Sequence, residues 1–434
     1  MFKTMTRLPL HWQILAALTL AITTGVTIAP DADIFGISLL SVLDFFGTLF
    51  LNALKMLIVP LVVSSIVTGM MDLQPNTLGR LGSKTLIFYM LSSLVAILIG
   101  LLMVNTLQPG IVDGQPALES MTLSSDTESA LAKVGVKGAA DIAEVFLRMV
   151  PVNVVSAAAE GQMLGLIFFS LLFGYFLSHL KGSHGEVQKD FWRGLLSIMI
   201  QMTNLVMKFA PIGIFALVCK VVIMSGADAF RPLAVFFVTV ILALMLHMFI
   251  FLPLILKYVA KVNPMRHFKA LMPALLTAFS TSSSSATLPI TLDCVERRAG
   301  VSNRVSGFTL PLGATVNMDG TALYECVAAM FIAQVYGLEL TIVTQFTIVL
   351  IALLTSIGVA GIPSASLVAI TIILGAIGLP LEAIGLILVV DRVLDMCRTS
   401  VNVFSDSCAA VTIARLEGED GVLEEKRQGF QDTR

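Results

Sequence analysis

Charge is what this 434-residue chain has least of: 13% of its residues are charged, whereas 56% are hydrophobic. Soluble domains carry about 25% charged residues, so the shortage excludes a soluble enzyme and indicates a multispanning protein of the lipid bilayer. The net charge is −2 and the basic residues are scattered, which gives nucleic-acid binding no support. Cysteines are few (Cys219, Cys294, Cys326, Cys397, Cys408) and lack C-x-x-C spacing, so they read as buried small hydrophobes rather than disulfide or metal ligands. Five scattered histidines make no ligand cluster, and only His247 falls deep in a span. The first apolar stretch, Leu8 to Pro30, is too long for a signal peptide and lacks a small-residue cleavage signature, so it reads as a span.

Charge-poor runs long enough to cross ~30 Å of hydrocarbon recur at 10–29, 36–71, 82–109, 142–180, 192–222, 232–258, 303–335 and 380–414. These predict an all-α integral membrane protein with eight transmembrane helices. Arg80 and Lys84, then Lys181, Lys189 and Arg193, then Lys257, Lys261, Arg266 and Lys269 all fall on one side. Asp31, Asp33 and the acidic loop of about 110–141 fall on the other. The positive-inside rule makes the first side cytoplasmic, together with both termini. The tail after Arg415 alternates in charge and reads as a mobile cytoplasmic end.

Two apolar regions, 265–298 and 342–378, do not behave as spans. The first contains STSSSSATLP at 280–289, five serines in six positions closed by a proline, inside a charge-free stretch from Ala270 to Leu292. The second is charge-free from Leu340 to Leu381, too long for one span and too short for two, and carries TSIGVAGIPSAS at 355–366. Each is followed by a span interrupted by polar residues, NMDGT at 317–321 and DMCRTSVNVFSD at 395–406. Re-entrant hairpins fit both, because irregular backbone at membrane depth is tolerated only against protein or a watery cavity. A matched pair of interrupted segments points to a transporter binding site. Half-helix N-termini offer N–H groups and positive dipole ends to an anion, and unwound carbonyls offer oxygens to a small hard cation. A single serine would be read as close packing or as bonding to its own turn. The run with its partner downstream favours an anion cradle.

In the last span Asp391, Asp395, Arg398, Thr399, Asn402 and Asp406 share one helical face. An arginine in mid-membrane costs ~2.5 kcal/mol or more, so it faces inward and has a partner. A structural ion pair with Asp395 is the plain reading. A guanidinium also grips a carboxylate through two parallel bonds, while Asp395 suits an ammonium, and together they suit an acidic amino acid. Asp319, Asn317, Asn402 and Asp406 form an oxygen-rich cluster on the two broken spans, serving as cation ligands or as a proton relay. An intramembrane serine hydrolase would need a base beside its nucleophile, and no nucleophile elbow frames the serines. A channel would leave the Arg/Asp/Asn face and the two hairpins unexplained.

SSSSATLP (282–289), GATVNMDGTALYE (313–325), SIGVAGIP (356–363) and DMCRTSVNVFSDS (395–407) closely resemble signatures of the glutamate transporter family, the dicarboxylate/amino acid:cation symporters. LKMLIVPLVVSSIVTG (54–69) and GQMLGLIFFSLLFG (161–174) extend the resemblance over nearly the whole chain. The family is among those from which the rule of paired broken spans was drawn, so the two arguments are not independent.

The resemblance implies a fold of inverted repeats, with eight helices and two hairpins, working as an elevator in a homotrimer. Helices 1–2 (10–71) and 4–5 (142–222) would form the scaffold. Helix 3 (82–109) and residues 232–414 would form the transport domain, made of helix 6, hairpin one (265–298), helix 7 (303–335), hairpin two (342–378) and helix 8 (380–414); residues 415–434 would be the tail. It further implies sodium-coupled uptake of aspartate or glutamate across the plasma membrane, with a proton-coupled C4-dicarboxylate carrier as the nearest rival. Arg398 would bind the substrate side-chain carboxylate and Asp395 its amino group. Ser283, Ser284, Thr321, Thr399 and Asn402 would complete the pocket, gated by Ser356, Val359 and Gly361 of hairpin two. Gly313, Asn317, Asn402 and Asp406 match one sodium site. Thr315 with the backbone of Ser356, Ile357 and Val359 matches a second, and Tyr89, Ser92, Ser93, Asn317 and Asp319 a third. An aspartate at 406 favours sodium over protons, and Asp395 favours amino acids over plain dicarboxylates.

Two departures stand out. Relatives usually carry a further arginine at the position of Ser282 or of Met396, and both are uncharged here. Glu325 matches a glutamate that animal members use for proton co-transport and potassium counter-transport, so coupling to either ion is an expectation here, balanced by a purely hydrogen-bonded role.

Overall fold

A computed structural model describes residues 10–29, 32–34, 36–71, 80–120, 147, 150–160, 162–225, 230–338, 341–356, 366–379 and 383–423. The described residues are predominantly helical, with two short antiparallel ribbons, Asp33–Ile34 with Ile37–Ser38 and Ile111–Val112 with Gln115–Pro116. The long helices in the first half are α1 (Leu10–Thr27), α2 (Leu39–Met71), α3 (Arg80–Leu107), α4 (Met163–His179), α5 (Ser183–Lys208) and α6 (Ala210–Ser225). Next, α7 (Phe230–Leu246) runs through a π turn at His247–Phe251 into α8 (Leu252–Tyr258).

Hairpin one is α9 (Pro264–Thr281) and α10 (Ser284–Asp293), the latter continued by a π turn over Cys294–Arg298. The next apolar stretch is α11 (Asn303–Val316) and α12 (Asp319–Val335). The arms of the second anomalous region are α13 (Ile342–Ser356) and α14 (Ser366–Ile377), and α15 (Ile384–Leu416) ends the fold.

The exterior is greasier than a soluble surface, and several charges lie inside. Leu102 is 64% exposed and Ile87 59%, whereas Asp319 and Glu325 are fully buried and Arg398 is 1% exposed. That inversion suits a bilayer, where apolar side chains need no partner and charges do. Among the described residues, three helices are long and apolar enough to cross a membrane: Leu39–Met71, Arg80–Leu107 and Arg231–Tyr258. A fourth is reached if α5 and α6 count as one. α15 has the length at 33 residues, but Asp391, Arg392, Asp395 and Arg398 crowd its first half.

Several span boundaries differ from the sequence-based expectations. The 192–222 span is two helices, α5 and α6, meeting at 53°. Pro211 accounts for the bend, since it has no N–H to give and its ring clashes with a preceding carbonyl. α5 begins at Ser183, so Lys189 and Arg193 lie on a helix rather than in a loop. The 142–180 span shortens to α4, which is preceded by a separate six-residue helix, Val154–Ala159. Asn153 caps that short helix, its Oδ1 accepting from Val155 N at 2.9 Å and Ser156 N at 3.2 Å. The last span is one unbroken helix rather than a broken one; Thr399 Oγ1 turns back to Asp395 O at 2.7 Å without opening it.

The start of the tail is fastened down, contrary to the mobile end expected. Lys84 Nζ donates to Glu417 Oε1 at 2.6 Å and to Leu416 O at 2.9 Å. Arg80 and Arg304 reach the same carboxylate at 3.5 and 3.4 Å. Glu419 accepts from the backbone N of Ser302 at 3.0 Å and from its hydroxyl, and Leu423 N donates to Ala299 O at 2.9 Å. Residues 424–434 lie outside the described residues.

The hydrogen bond from Lys84, with the charges of Lys84, Arg80 and Arg304, holds the Glu417 carboxyl below the ordinary glutamate range. A carboxyl lowered by folding stabilises the fold above its unfolded pKa, and that contribution fades as pH falls through the folded value. Glu417→Gln is therefore expected to lower the Tm in detergent at pH 7. The difference from the unsubstituted protein should shrink on acidification below the ordinary glutamate range; a gap constant across pH would contradict the clasp.

α1, α2, α4, α5 and α6 pack chiefly on one another, with α1 on α6 and α2 between α4, α5 and α6. α3 instead packs on α12 and α7, and α9, α11 and α12 pack on α15. The second group contains nearly every buried charge.

Candidate functional site

The tip of hairpin one is built by its serines. Ser282 caps α9 in the left-handed conformation, with φ 52° and ψ 34°. Ser283 is extended and caps α10, its Oγ accepting from Ala286 N at 3.2 Å. Ser284 opens α10 and is buried, and Ser282 Oγ is buried with no partner. The expected polar tip between two half-helices is therefore present at 282–283.

α11 and α12 break at Asn317 and Met318, whose backbones leave the helical region. Asn402 of α15 crosses to close the gap. Its Oδ1 accepts from Gly320 N at 2.7 Å and Thr321 N at 3.3 Å, and its Nδ2 donates to Thr321 Oγ1 at 3.0 Å. Gly320 is required, because a Cβ there would lie 2.5 Å from Arg398 O. That close approach brings the α12 N-terminus against the polar face of α15.

On that face Arg398 is stacked 4.2 Å above the Tyr324 ring and is fully engaged. Its Nε and Nη2 donate to Asp395 Oδ1 at 3.1 and 2.8 Å, and its Nη1 donates to Asp391 Oδ1 at 3.0 Å. Tyr324 OH also donates to Asp391 Oδ1 at 2.8 Å. The helical pair foreseen as the plain reading is thus formed. Arg392, which was not foreseen, donates to Asp395 Oδ2 at 3.3 Å. It stands three residues before Asp395 and seven before Thr399, on the same face of α15, and an arginine in an apolar span is itself a signal.

Four residues of the expected third cation site come together. Ser93 Oγ donates to Asp319 Oδ1 at 2.7 Å, and Ser92 Oγ lies 3.2 Å from both Asp319 Oδ1 and Asn317 Oδ1. The Tyr89 hydroxyl donates instead to Thr309 O at 2.7 Å and lies beside Gly313. Two partners escaped the sequence reading: Ser405 Oγ donates to Asp319 Oδ2 at 2.6 Å, and His247 Nε2 lies 2.9 Å from the same oxygen. His247 sits in the π turn after α7 and is buried. His267 in α9 is equally buried, so His247 is not the only inward histidine; its Nε2 lies 2.9 Å from Ser407 Oγ.

Of the expected first cation site, Asp406 Oδ1 accepts from Asn317 Nδ2 at 2.9 Å, and a Cβ on Gly313 would lie 2.4 Å from that oxygen. Asn317 Nδ2 is also 3.1 Å from Ser405 Oγ, which joins the two clusters. The Asn402 side chain does not join them, being spent on the α12 N-terminus. For the expected second site, Thr315 Oγ1 donates to Leu312 O at 3.0 Å and Ser356 Oγ to Leu353 O at 2.8 Å, each within its own helix. Ile357, Val359 and Gly361 lie outside the described residues.

No group of three or more His, Cys, Asp and Glu side chains able to hold a metal ion occurs among the described residues. The Asp319 and Asp406 clusters are instead carboxylate, amide and hydroxyl oxygens, the donor set of a hard cation rather than of zinc or copper. Glu325, one residue beyond Tyr324, is fully buried; its Oε2 accepts from Thr355 Oγ1 at 2.8 Å and its Oε1 has no partner. Of the five cysteines, Cys397 is only partly buried, beside Arg398 on the α15 surface.

Residues 10–416 match the model of the sodium:dicarboxylate symporter family. The chain belongs to the sodium:dicarboxylate symporter family. Within it, the chain is 34% identical over 418 residues to a proton/sodium-glutamate symport protein of Bacillus caldotenax, covering 96% of each chain. It is 35% identical over 413 residues to a proton/glutamate-aspartate symporter of Escherichia coli K12, covering 94% of this chain and 93% of the relative. It is also 35% identical over 458 residues to excitatory amino acid transporter 3 of mouse, covering 94% and 86%. These relatives are transporters by name, and an integral membrane transporter is what the apolar helices of this family member fit.

Proposed function

We propose that this chain is a secondary active symporter that takes up acidic amino acids, L-aspartate or L-glutamate, coupled to sodium. The observation that carries the reading is the buried quartet of Asp391, Arg392, Asp395 and Arg398 at the N-terminus of α12. A zwitterion with a second carboxylate can exchange with such pairs: Arg398 receives the side-chain carboxylate and Asp395 the ammonium. The N-terminal amides of α10, capped by Ser283, offer donors to the remaining carboxylate, with Ser284, Thr321, Thr399 and Asn402 around it. Val359 and Gly361 of hairpin two would close over the substrate.

Sodium would be bound by the oxygens gathered at Asp319 (Ser92, Ser93, Asn317) and at Asp406 (Asn317, Gly313), with Tyr89 beside them and the main chain of Asn402 completing the second. Thr315 with Ser356, Ile357 and Val359 would make a further site when hairpin two closes. The names of the relatives support this reading, two of them pairing sodium or protons with glutamate. α3 and α7 to α15 would form the mobile transport domain and the remaining helices the scaffold, in a homotrimeric elevator with eight spans and two hairpins. The packing of α3 on α12 rather than on the scaffold helices supports that division. Arg80, Lys84, Arg304 and Arg415, gathered at one end around the tail, support a cytoplasmic placement of both termini at the plasma membrane.

Glu325 has a threonine hydroxyl as its one described hydrogen bond, which suits a carboxyl that takes up and gives away a proton. Glu325→Gln is expected to abolish the dependence of uptake on pH or on internal potassium; unchanged dependence on both would end the coupling idea. The substrate class is tested by competition. A tenfold excess of unlabelled L-glutamate should suppress radiolabelled L-aspartate uptake, and the same excess of succinate should not. Equal suppression by succinate would favour the proton-coupled C4-dicarboxylate carrier.

A further inference from the structure

Arg392 belongs to the buried quartet, but the transport reading gives it no contact with the substrate. Its side chain is 7% exposed, against 1% for Arg398, yet the two are used very differently. Arg398 is spread over two carboxylates and an aromatic ring. Arg392 makes one ion pair, Nη1 to Asp395 Oδ2 at 3.3 Å, and its Nε is buried with no partner. A guanidinium removed from water and underused in this way costs several kcal/mol unless it gains something elsewhere. Packing alone is a poor reason to keep it, since methionine fills the same space without a charge.

The two arginines divide Asp395 between them. Arg398 holds Oδ1 and Arg392 holds Oδ2. When a substrate carboxylate draws Arg398 away, Asp391 keeps the Tyr324 hydroxyl at 2.8 Å. Asp395 would keep Arg392 on its Oδ2. We infer that Arg392 is a positioning residue of the substrate pocket, which grips the outer oxygen of Asp395 so that the inner oxygen is released by Arg398 and presented to the ammonium of the substrate.

Without Arg392, Asp395 loses the contact that holds its second oxygen and fixes its orientation for an amine. That loss weakens substrates that carry an ammonium group more than dicarboxylates that lack one. Arg392 would thus help set selectivity for amino acids without touching them. The uncharged Ser282 and Met396 fit this arrangement, since α15 already carries a second guanidinium.

The inference rests on the acidic amino acid reading and is tested in proteoliposomes containing the full chain. For Arg392→Met, the KM for L-aspartate should rise about tenfold or more. The maximal rate should change less than threefold, and so should the inhibition constant for succinate. Arg392→Lys, which restores a cation at this position, should recover most of the aspartate affinity. A KM within twofold of the unsubstituted protein, or parallel losses for aspartate and succinate, would overturn the inference. If Arg392→Met does not reach the membrane, Arg392→Gln carries the same measurement with the same outcomes. Failure of the unsubstituted protein to take up L-aspartate at all would instead overturn the transport reading.

Discussion

Arg398→Lys should reduce the affinity for L-aspartate by about two orders of magnitude while the protein still folds. The substitution keeps the charge but removes the planar fork that now serves Asp395 through Nε and Nη2 and Asp391 through Nη1. An ammonium can satisfy one of those carboxylates well and cannot present two parallel donors to an incoming carboxylate. Disrupting a buried hydrogen-bonded charge pair typically costs ~2–5 kcal/mol, which corresponds to losses of ~30-fold and upward. Retaining the charge matters for the interpretation, because Arg398→Ala would take from the buried Asp391 the cation it is paired with and endanger the fold. Substrate affinity by isothermal titration in detergent, beside the thermal midpoint of the same preparation, separates the two effects. An affinity within threefold of the unsubstituted protein would place the substrate carboxylate elsewhere.

Asp406→Asn should have the second large effect, on the cation rather than on the amino acid. Asp406 is buried, accepts from Asn317 at 2.9 Å and lies against the Gly313 backbone, where no side chain would fit. The amide matches the carboxylate in size and removes its charge, and cation affinity in oxygen sites follows the number of charged ligands. The sodium concentration for half-maximal uptake should rise roughly tenfold or more, a change of about 1.4 kcal/mol or more. Uptake at saturating sodium should fall less. If the sodium dependence is unmoved, Asp406 is a structural acceptor for Asn317.

How far these residues could be read from the sequence depends on whether their partners are near in the chain. The tip of hairpin one was legible because Ser283 caps a helix that begins one residue later, a local bond. The break at Asn317 was legible because the polar residues of NMDGT interrupt an apolar run, whereas its closure by Asn402, 82 residues beyond Gly320, was not. The polar face of α15 followed from helical spacing, although the same polarity suggested a break that its backbone does not make.

Contacts between distant segments were not legible. His247 and Ser405 reach Asp319 from 72 and 86 residues away, and no local pattern announces either. The clasp on Glu417 joins it to Lys84 across 333 residues, so an alternating-charge tail looked free when its first part is fastened. Pro211 was visible, but its effect was masked because the apolar composition runs unbroken through the bend. Arg392 was legible by the same helical spacing, three residues before Asp395, and was passed over.

The most direct test of the account is uptake of radiolabelled L-aspartate and L-glutamate into proteoliposomes, with an inward sodium gradient and an inward proton gradient imposed separately. The account predicts accumulation driven by sodium and none by protons in the absence of sodium. Accumulation on the proton gradient alone would contradict it, making Asp319 and Asp406 relay groups rather than sodium ligands.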